Sequence, residues 1–274
     1  MKKIRHGLIT GIALSVMAGS VAAAENIESL IDQTLLAAHR AETNKARDQY
    51  RHPKETLLFF GLRSDATVVE MTPGLGWYTE ILAPVLRANG TYYVAVNRVG
   101  DKTPEALRET DRNFRKTLAE RPDLYDRVAL SLSTPPDSFS LAPTGSADLV
   151  LTFRNVHNWA RAGTVDTIFK AFFNALKPGG TLGVVEHRAR EDASLEQMIK
   201  SGYMTEAFVI AAAARAGLSL AAKSEINANP HDSKDYPDGV WTLPPTLRLG
   251  DKDKEKYLAI GESDRMTLKF LKPW

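Results

Sequence analysis

The 274-residue sequence contains no cysteine. This absence excludes disulfide bonds, thiolate metal ligands and a cysteine nucleophile. The sequence also has no internal repeat and no sustained heptad pattern, which excludes solenoids and coiled coils. With 43% hydrophobic and 25% charged residues, the composition is typical of one globular domain, whose core needs no disulfide for stability.

Acidic residues are missing from the first 24 positions. Lys2, Lys3 and Arg5 are followed by an uncharged, mostly apolar run from Gly7 to Val21 and then by three alanines at 22–24. This order is typical of a secretory signal peptide, with cleavage expected after Ala24. We therefore expect a periplasmic or secreted protein. No later segment is long and apolar enough to span a bilayer, so no stable membrane insertion is expected after cleavage.

The positive charge of the sequence lies in this leader. The whole chain has 35 Lys and Arg against 33 Asp and Glu, and removing the three leader cations leaves 32 against 33, a net charge of −1. A chain without basic excess has no general attraction for nucleic acid. The expected partner is a small molecule, and nothing in the sequence predicts an oligomeric state.

The chain is expected to have a helical N-terminal cap, residues 25–63, followed by a single domain, residues 64–274. Apolar residues recur at helical spacing through the cap. In the domain, strands alternate with helices. The predicted strands are Ala66–Met71, Thr91–Val96, Arg127–Leu132, Ala147–Phe153, Thr181–Glu186, Leu218–Ile226 and Arg265–Leu271. Strict alternation predicts an α/β fold with a doubly wound, mostly parallel seven-stranded sheet.

A long polar loop separates the last two predicted strands. If the final strand runs antiparallel, both ends of this loop lie at the carboxyl edge of the sheet, where open α/β sheets bind ligands. Loops of this length are often functional. Within it, His231 and Asp232 are expected to be solvated, whereas Met198 and Met204, which precede it, are expected in the core.

A glycine-rich turn follows the first strand of the domain. Glu70 lies at the strand end, and Gly74 and Gly76 precede a helix. Glycines let the backbone approach a ligand closely, and a helix N-terminus offers free N–H groups to a carboxylate or phosphate. A dinucleotide fingerprint needs a third glycine where Thr79 stands and an acid where Asn97 stands, which disfavours NAD(P).

Residues 70–76 resemble the first motif of class I methyltransferases dependent on S-adenosylmethionine (SAM), Glu/Asp-x-Gly-x-Gly-x-Gly. Asp148–Phe153 is similar to the fourth motif of that family, and Leu176–Leu182 is similar to the turn before its fifth strand. The resemblance covers about residues 65–190. It implies SAM as cofactor and methyl transfer to a small molecule. The cofactor contacts that it implies are at Glu70, Thr72, Gly74, Gly76 and Asn97. Two more are expected from their position: Trp77, which could face the sulfonium, and Asn155, at the carboxyl edge beside the cofactor. Thr72 and Asn97 depart from the family pattern, which has glycine and an acid there.

Candidate catalytic residues follow the fourth strand. Methyl transfer is an in-line displacement that requires alignment, and a base is needed only for a protonated acceptor. His157 is the best general-base candidate, because histidine titrates near neutrality. The structural alternative is that His157 caps the next segment; Trp159 is expected to be packing. His157, Glu186 and His187 lack the spacing of a metal site, and no metal is predicted.

Three functions remain open. The first is SAM-dependent methyl transfer. The second is a non-catalytic exported binding protein on the same fold, since SAM is made in the cytoplasm and the leader predicts export. The third, an NAD(P)-dependent oxidoreductase, is weakened by Thr79.

Overall fold

The computed structural model describes residues 18–134 and 138–274. Residues 1–17 of the predicted signal peptide lie outside the described part of the chain. None of the helices in that part combines the length and apolar character needed to cross a bilayer.

The core of the fold is one twisted sheet. Its strands are β1 (Thr67–Met71), β2 (Thr91–Asn97), β3 (Val128–Thr134), β4 (Ser138–Phe139), β5 (Ala147–Phe153), β6 (Leu176–His187), β7 (Ser219–Ser224) and β8 (Arg265–Leu271). The strand order is β4-β3-β2-β1-β5-β6-β8-β7. β8 is antiparallel to both of its neighbours, whereas β1, β2, β3, β5 and β6 are mutually parallel. The predicted seven-stranded, mostly parallel sheet is confirmed, with the two-residue β4 added at one edge.

Helices cover both faces of the sheet. They are α1 (Ala18–Leu36), α2 (Glu42–Lys45), α3 (Asp48–Arg51), α4 (Pro53–Phe60), α5 (Thr79–Leu86), α6 (Glu105–Glu120), α7 (Pro122–Tyr125), α8 (Val156–Ala162), α9 (Val165–Ala175), α10 (Leu195–Ser201), α11 (Glu206–Ala216) and α12 (Lys254–Ile260). A 3₁₀ helix spans Gly239–Thr242. The short helices α8, α10 and α12 were not predicted, because each has only seven residues and shows little periodicity.

Two apolar cores lie on opposite faces of the sheet. Adjacent residues of one strand enter different cores: Val68 packs with the N-terminal helices and α5, and Val69 packs with α9 and α11. The central strands are apolar at successive positions because both of their faces are buried. Ile31, Leu57 and Phe60 place the N-terminal helices on the first face. Met198 and Met204 lie in the second core, as expected.

The segment between β7 and β8, residues 225–264, begins and ends at the carboxyl edge of the parallel strands. The pairing of His187 with Arg265 fixes the start of β8 there. The expectation that Asp232 is solvated was wrong. Asp232 is buried and accepts hydrogen bonds from the Tyr203 hydroxyl, at 3.0–3.1 Å, and from the Asp264 amide, at 2.8 Å. These bonds hold the segment against the domain.

Gly183 of β6 sets how closely α4 approaches the sheet. A Cβ atom built there would lie 2.6 Å from the Phe60 ring and 2.8 Å from the Leu151 side chain. We expect Gly183→Val to lower the free energy of unfolding by about 1–3 kcal/mol, because overpacking displaces Phe60. Thermal unfolding followed by circular dichroism measures the effect. Gly100→Val is the control, since its Cβ would meet nothing within 4 Å; equal melting temperatures for the two variants would contradict the packing argument.

Candidate functional site

The turn between β1 and α5 has the backbone shape of a ligand-binding loop. Thr72, Gly74 and Gly76 all have positive φ, at 54°, 63° and 87°. Thr72 therefore adopts the left-handed conformation that glycine usually supplies. A Cβ at Gly74 would meet nothing within 4 Å, whereas one at Gly76 would lie 3.0 Å from Phe114 of α6. Gly74 thus faces open space, and Gly76 permits helix packing.

Hydrogen bonds to the buried Glu70 side chain hold this turn in place. The Glu70 carboxylate is 2% exposed and accepts hydrogen bonds from the Tyr92 hydroxyl and from the Thr79 hydroxyl, the latter at 2.7 Å. Burial raises the pKa of Glu70 to about 7, against the opposing effect of these two donors. Glu70 therefore ties the start of α5 to β1 and β2. Thr79, which stands where a dinucleotide fingerprint has its third glycine, donates a hydrogen bond from its hydroxyl to Glu70.

Two cavities meet at Pro73 and Gly74. The smaller, of about 130 Å³, lies between the turn, the end of β2 at Asn97 and the apolar side of α6. The larger, of about 360 Å³, lies on the other side of the turn, under the 225–264 segment. One extended ligand crossing Gly74 would enter both cavities. We call the larger one the arginine cavity, after Arg47, Arg51, Arg154 and Arg265 in its wall.

The ends of β1 and β5 are tied together beside the turn. The Asn155 side-chain amide donates to the Met71 carbonyl at 3.0 Å and to the Thr72 carbonyl at 3.3 Å. Arg154, between β5 and Asn155, has a φ of 61°. A non-glycine residue in this conformation costs about 1–3 kcal/mol and is found where the surrounding structure requires it. Asn155 thus shapes the turn, and Arg154 lines the arginine cavity.

Glu186, at the end of β6, holds His157 in place. The Glu186 carboxylate is fully buried and lies 3.0 Å from the His157 Nδ1. It also accepts the backbone amides of Val156 at 2.5 Å, His157 at 3.3 Å and His187 at 2.8 Å. Because a carboxylate is an acceptor, Nδ1 of His157 carries the proton and Nε2 is left as an acceptor. His157 lines the arginine cavity.

His157, Glu186 and His187 form a cluster that resembles a metal site only in the short distances between its side chains. Ligand atoms of His157, Glu186 and His187 lie within 4.8 Å of one another. The four donors to Glu186 occupy its lone pairs, and the His187 Nδ1 is 2.6 Å from the Ser263 hydroxyl. Burial, together with His157 and Arg265, lowers the pKa of His187 well below its usual value, so this ring is neutral. The arrangement suits positioning of His157 better than metal binding.

The arginine cavity contains four guanidinium groups and one carboxylate, Glu262. Glu262 accepts from Arg47 at 2.6 Å, from Arg51 at 3.1 Å and from Arg265. Burial would raise the pKa of Glu262, but the three arginines outweigh it and lower the pKa to about 2. Burial and the neighbouring Arg265 lower the pKa of Arg154 to about 10. The wall therefore contains four positive charges against the single negative charge of Glu262.

The tryptophans divide into packing and lining residues. Trp159 contacts Phe169 and Phe172 with ring centroids 6.5 and 5.7 Å apart, which agrees with the expected packing role. Trp77 lines the arginine cavity, and the Arg51 guanidinium lies 4.6 Å from its ring centroid. Arg51 therefore occupies one face of Trp77.

The fold is that of the class I methyltransferases. A SAM-dependent methyltransferase from Aquifex aeolicus is 14% identical, with a TM-score of 0.55 over 90% of this chain and 97% of that one. A geranyl diphosphate methyltransferase in complex with SAM is 11% identical, with a TM-score of 0.54 over 88% and 94%. The [4+2]-cyclase SpnF is 17% identical, with a TM-score of 0.55 over 97% and 99%. Neither the family models nor the curated proteins compared with the sequence gave a match, so the likeness is one of fold.

The residues selected from sequence converge on one edge. Thr72, Gly74 and Asn97 line the smaller cavity, Gly74, Trp77 and His157 line the larger, and Glu70, Gly76 and Asn155 hold the turn between them. Their assignment as cofactor contacts stays a prediction. Sequence reasoning missed Arg47 and the Glu262–Arg265 pair, and it placed Arg154 in the candidate cluster after the fourth strand without giving it a role. The one available signal was that Glu262 and Arg265 flank the start of the final strand, at the edge where ligands bind.

The raised pKa of Glu70 predicts a pH-dependent stability. In the unfolded chain this carboxyl titrates near its ordinary value, about 4.3, and in the folded protein near 7. The native state then binds the proton more tightly, so the wild-type protein loses stability as the pH rises between these values. Gln cannot ionise. We expect the stability of Glu70→Gln relative to wild type to increase from pH 5 to pH 8, by up to about 3 kcal/mol.

Urea unfolding at several pH values measures this difference. The exposed Glu191→Gln is the control and should show no such trend. A constant difference between Glu70→Gln and wild type across the range would mean that Glu70 is ionised throughout.

Proposed function

We propose that the protein is a SAM-dependent methyltransferase acting on a small molecule. The observation that carries the proposal is the turn at Gly74, which opens into two adjoining cavities at the carboxyl edge of a class I methyltransferase fold. One cavity suits the nucleoside part of a cofactor. The other has room for the methyl-donating part and an acceptor.

The residues present fit SAM. Thr72 keeps the left-handed backbone of the motif glycine that it replaces, and Gly74 leaves open space above the turn. Val96, Leu107 and Phe114 give the smaller cavity apolar walls for a purine, and Asn97 supplies a polar group at the end of β2. Bound SAM would supply a methyl group activated by a sulfonium. Asn97 would replace an acid as the ribose ligand, accepting one hydrogen bond and donating another.

His157 would remove the proton of an acceptor hydroxyl, amine or thiol. Glu186 holds Nδ1 as the protonated nitrogen, so Nε2 is the atom that would accept the proton. The imidazolium formed would be stabilised by the buried Glu186 carboxylate. Three further donors fix that carboxylate, which keeps the ring orientation constant during the proton transfer.

The N-terminal helices and the 225–264 segment cover the arginine cavity. Arg47 and Arg51 come from the first, and Trp241 and Glu262 from the second. The ion pairs of both arginines with Glu262 join the two covers. Covering the site would exclude water, which competes with an acceptor for a methyl group.

The alternative, a non-catalytic binding protein, is favoured by the leader. We propose that residues 1–24 direct export, from the order of their basic, apolar and small residues. SAM would then have to reach that compartment. The [4+2]-cyclase SpnF has a similar fold, so this fold is not restricted to proteins named as methyltransferases.

Calorimetric titration of the purified protein with SAM, and separately with NAD, tests the cofactor. We expect saturable SAM binding and no NAD binding. Gly74→Val should abolish SAM binding, because its side chain fills the space above the turn. Absence of SAM binding to the wild-type protein at millimolar concentration would refute the methyltransferase proposal.

Gly145→Val is the matched control for Gly74→Val. Gly145 has a similar φ of 66° and open space at its Cβ, but it precedes β5 at the opposite edge of the sheet. Both variants carry the same backbone strain. Only the change at Gly74 should affect SAM binding; equal losses would assign the effect to strain.

His157→Gln tests the base. With an acceptor identified by screening small molecules for release of S-adenosylhomocysteine, we expect kcat to fall by about 10²–10⁴ while SAM affinity stays unchanged. The exposed His231→Gln should behave as wild type. An unchanged kcat for His157→Gln would remove His157 from the mechanism.

A further inference from the structure

The wall of the arginine cavity carries more positive charge than its own residues neutralise. Glu262 is the one acidic residue among the described residues of this wall, and it already accepts from three arginines. Withdrawing an ion from water costs several kcal/mol unless a partner compensates. The wall therefore lacks negative charge.

Two guanidinium nitrogens of this positively charged wall also lack a hydrogen-bond partner. Arg51 is 2% exposed, and its Nη1 has no hydrogen-bond partner; the Nε of Arg265, also 2% exposed, has none. The pKa of Arg51 lies well below its usual value because of burial and of the nearby Arg154. These cations repel one another, and a bound anion would relieve that repulsion.

Arg154 is the guanidinium best placed to contact such an anion. It is half-buried, and within residues 18–134 and 138–274 its guanidinium forms no hydrogen bond or ion pair; Glu262 attracts it only as a nearby charge. Its left-handed backbone at the end of β5 puts it in the wall shared with Gly74 and His157. A group bound by Arg154 would thus lie beside both the predicted cofactor turn and the candidate base.

SAM does not supply the missing charge. Its carboxylate is balanced by its ammonium group, and its sulfonium adds a further positive charge. With SAM bound, the positive excess in the arginine cavity increases. The compensating anion must come from the other ligand.

We propose that the methyl acceptor is a small organic anion, bound through a carboxylate or phosphate group that Arg154 contacts and that Arg47, Arg51 and Arg265 attract. That the bound anion is the methyl acceptor rests on the proposed function, whereas the anion site itself does not. Guanidinium groups match both oxyanions with paired N–H donors. The bound anion would present its nucleophilic atom to His157.

Calorimetric titration with three probes at low ionic strength tests this. Succinate and inorganic phosphate supply the two oxyanions, and succinamide is the neutral analogue of succinate. We expect saturable binding of at least one anion and none of succinamide. Tighter binding of phosphate would identify phosphate esters as the acceptor class, and tighter binding of succinate would identify carboxylic acids.

Variants locate the site. Arg154→Gln should weaken anion binding at least tenfold, about 1.4 kcal/mol, since hydrogen bonds to charged groups contribute at least this much. Arg47→Gln should weaken it too, and it leaves Glu262 paired with Arg51 and Arg265. The exposed Arg215→Gln is the control, because Arg215 pairs with Asp166 at the protein surface. Circular dichroism verifies that each variant is folded.

Competition with SAM separates this inference from the proposed function. We expect the anion to bind equally well, or better, in the presence of saturating SAM. Anion binding that SAM displaces would assign the arginines to the methionine carboxylate and overturn the proposal, as would no anion binding or equal binding by folded Arg154→Gln. Anion binding without SAM binding would instead refute the methyltransferase and keep the anion site.

Discussion

The organisation of the candidate site depends on the buried carboxylate of Glu186. Glu186 is the second-to-last residue of β6 and accepts the first two amides of α8, so the strand end and the helix start are held together. Those amides bond to Oε2, whereas Oε1 orients the His157 ring and accepts the His187 amide. A buried carboxylate without donors would be strongly destabilising, and this one has four. The hydrogen bonds that stabilise the buried Glu186 carboxylate therefore also fix the position of His157.

Glu262 has the corresponding role for the covers of the site. It joins Arg47 and Arg51 of the N-terminal helices to Arg265 of β8, across more than two hundred residues of sequence. One carboxylate cannot neutralise these cations together with Arg154. The fold is thus closed by an ion-pair network that leaves a positive interior, and this interior is open to a ligand beside Gly74 and His157.

The sequence predicted what is local and periodic. The seven strands, the doubly wound sheet and the turn at Gly74 follow from apolar patterning and from glycine chemistry. His157 was selected because it follows a strand at the carboxyl edge. The arginine cavity could not be predicted, because Arg51 and Glu262 meet only through the tertiary fold. The left-handed backbones of Thr72 and Arg154 were equally hidden, since non-glycine residues rarely adopt them without tertiary constraint. Asp232 looked like a surface residue because its partners, Tyr203 and Asp264, lie about thirty residues away on either side.

A crystal structure of the protein soaked with SAM tests the central claim most directly, which is that the turn at Gly74 receives this cofactor next to His157. The account predicts density that crosses Gly74, with the adenosine part toward Asn97 and the sulfur toward His157. SAM bound at another surface, or an empty turn in crystals held at saturating SAM, would contradict it.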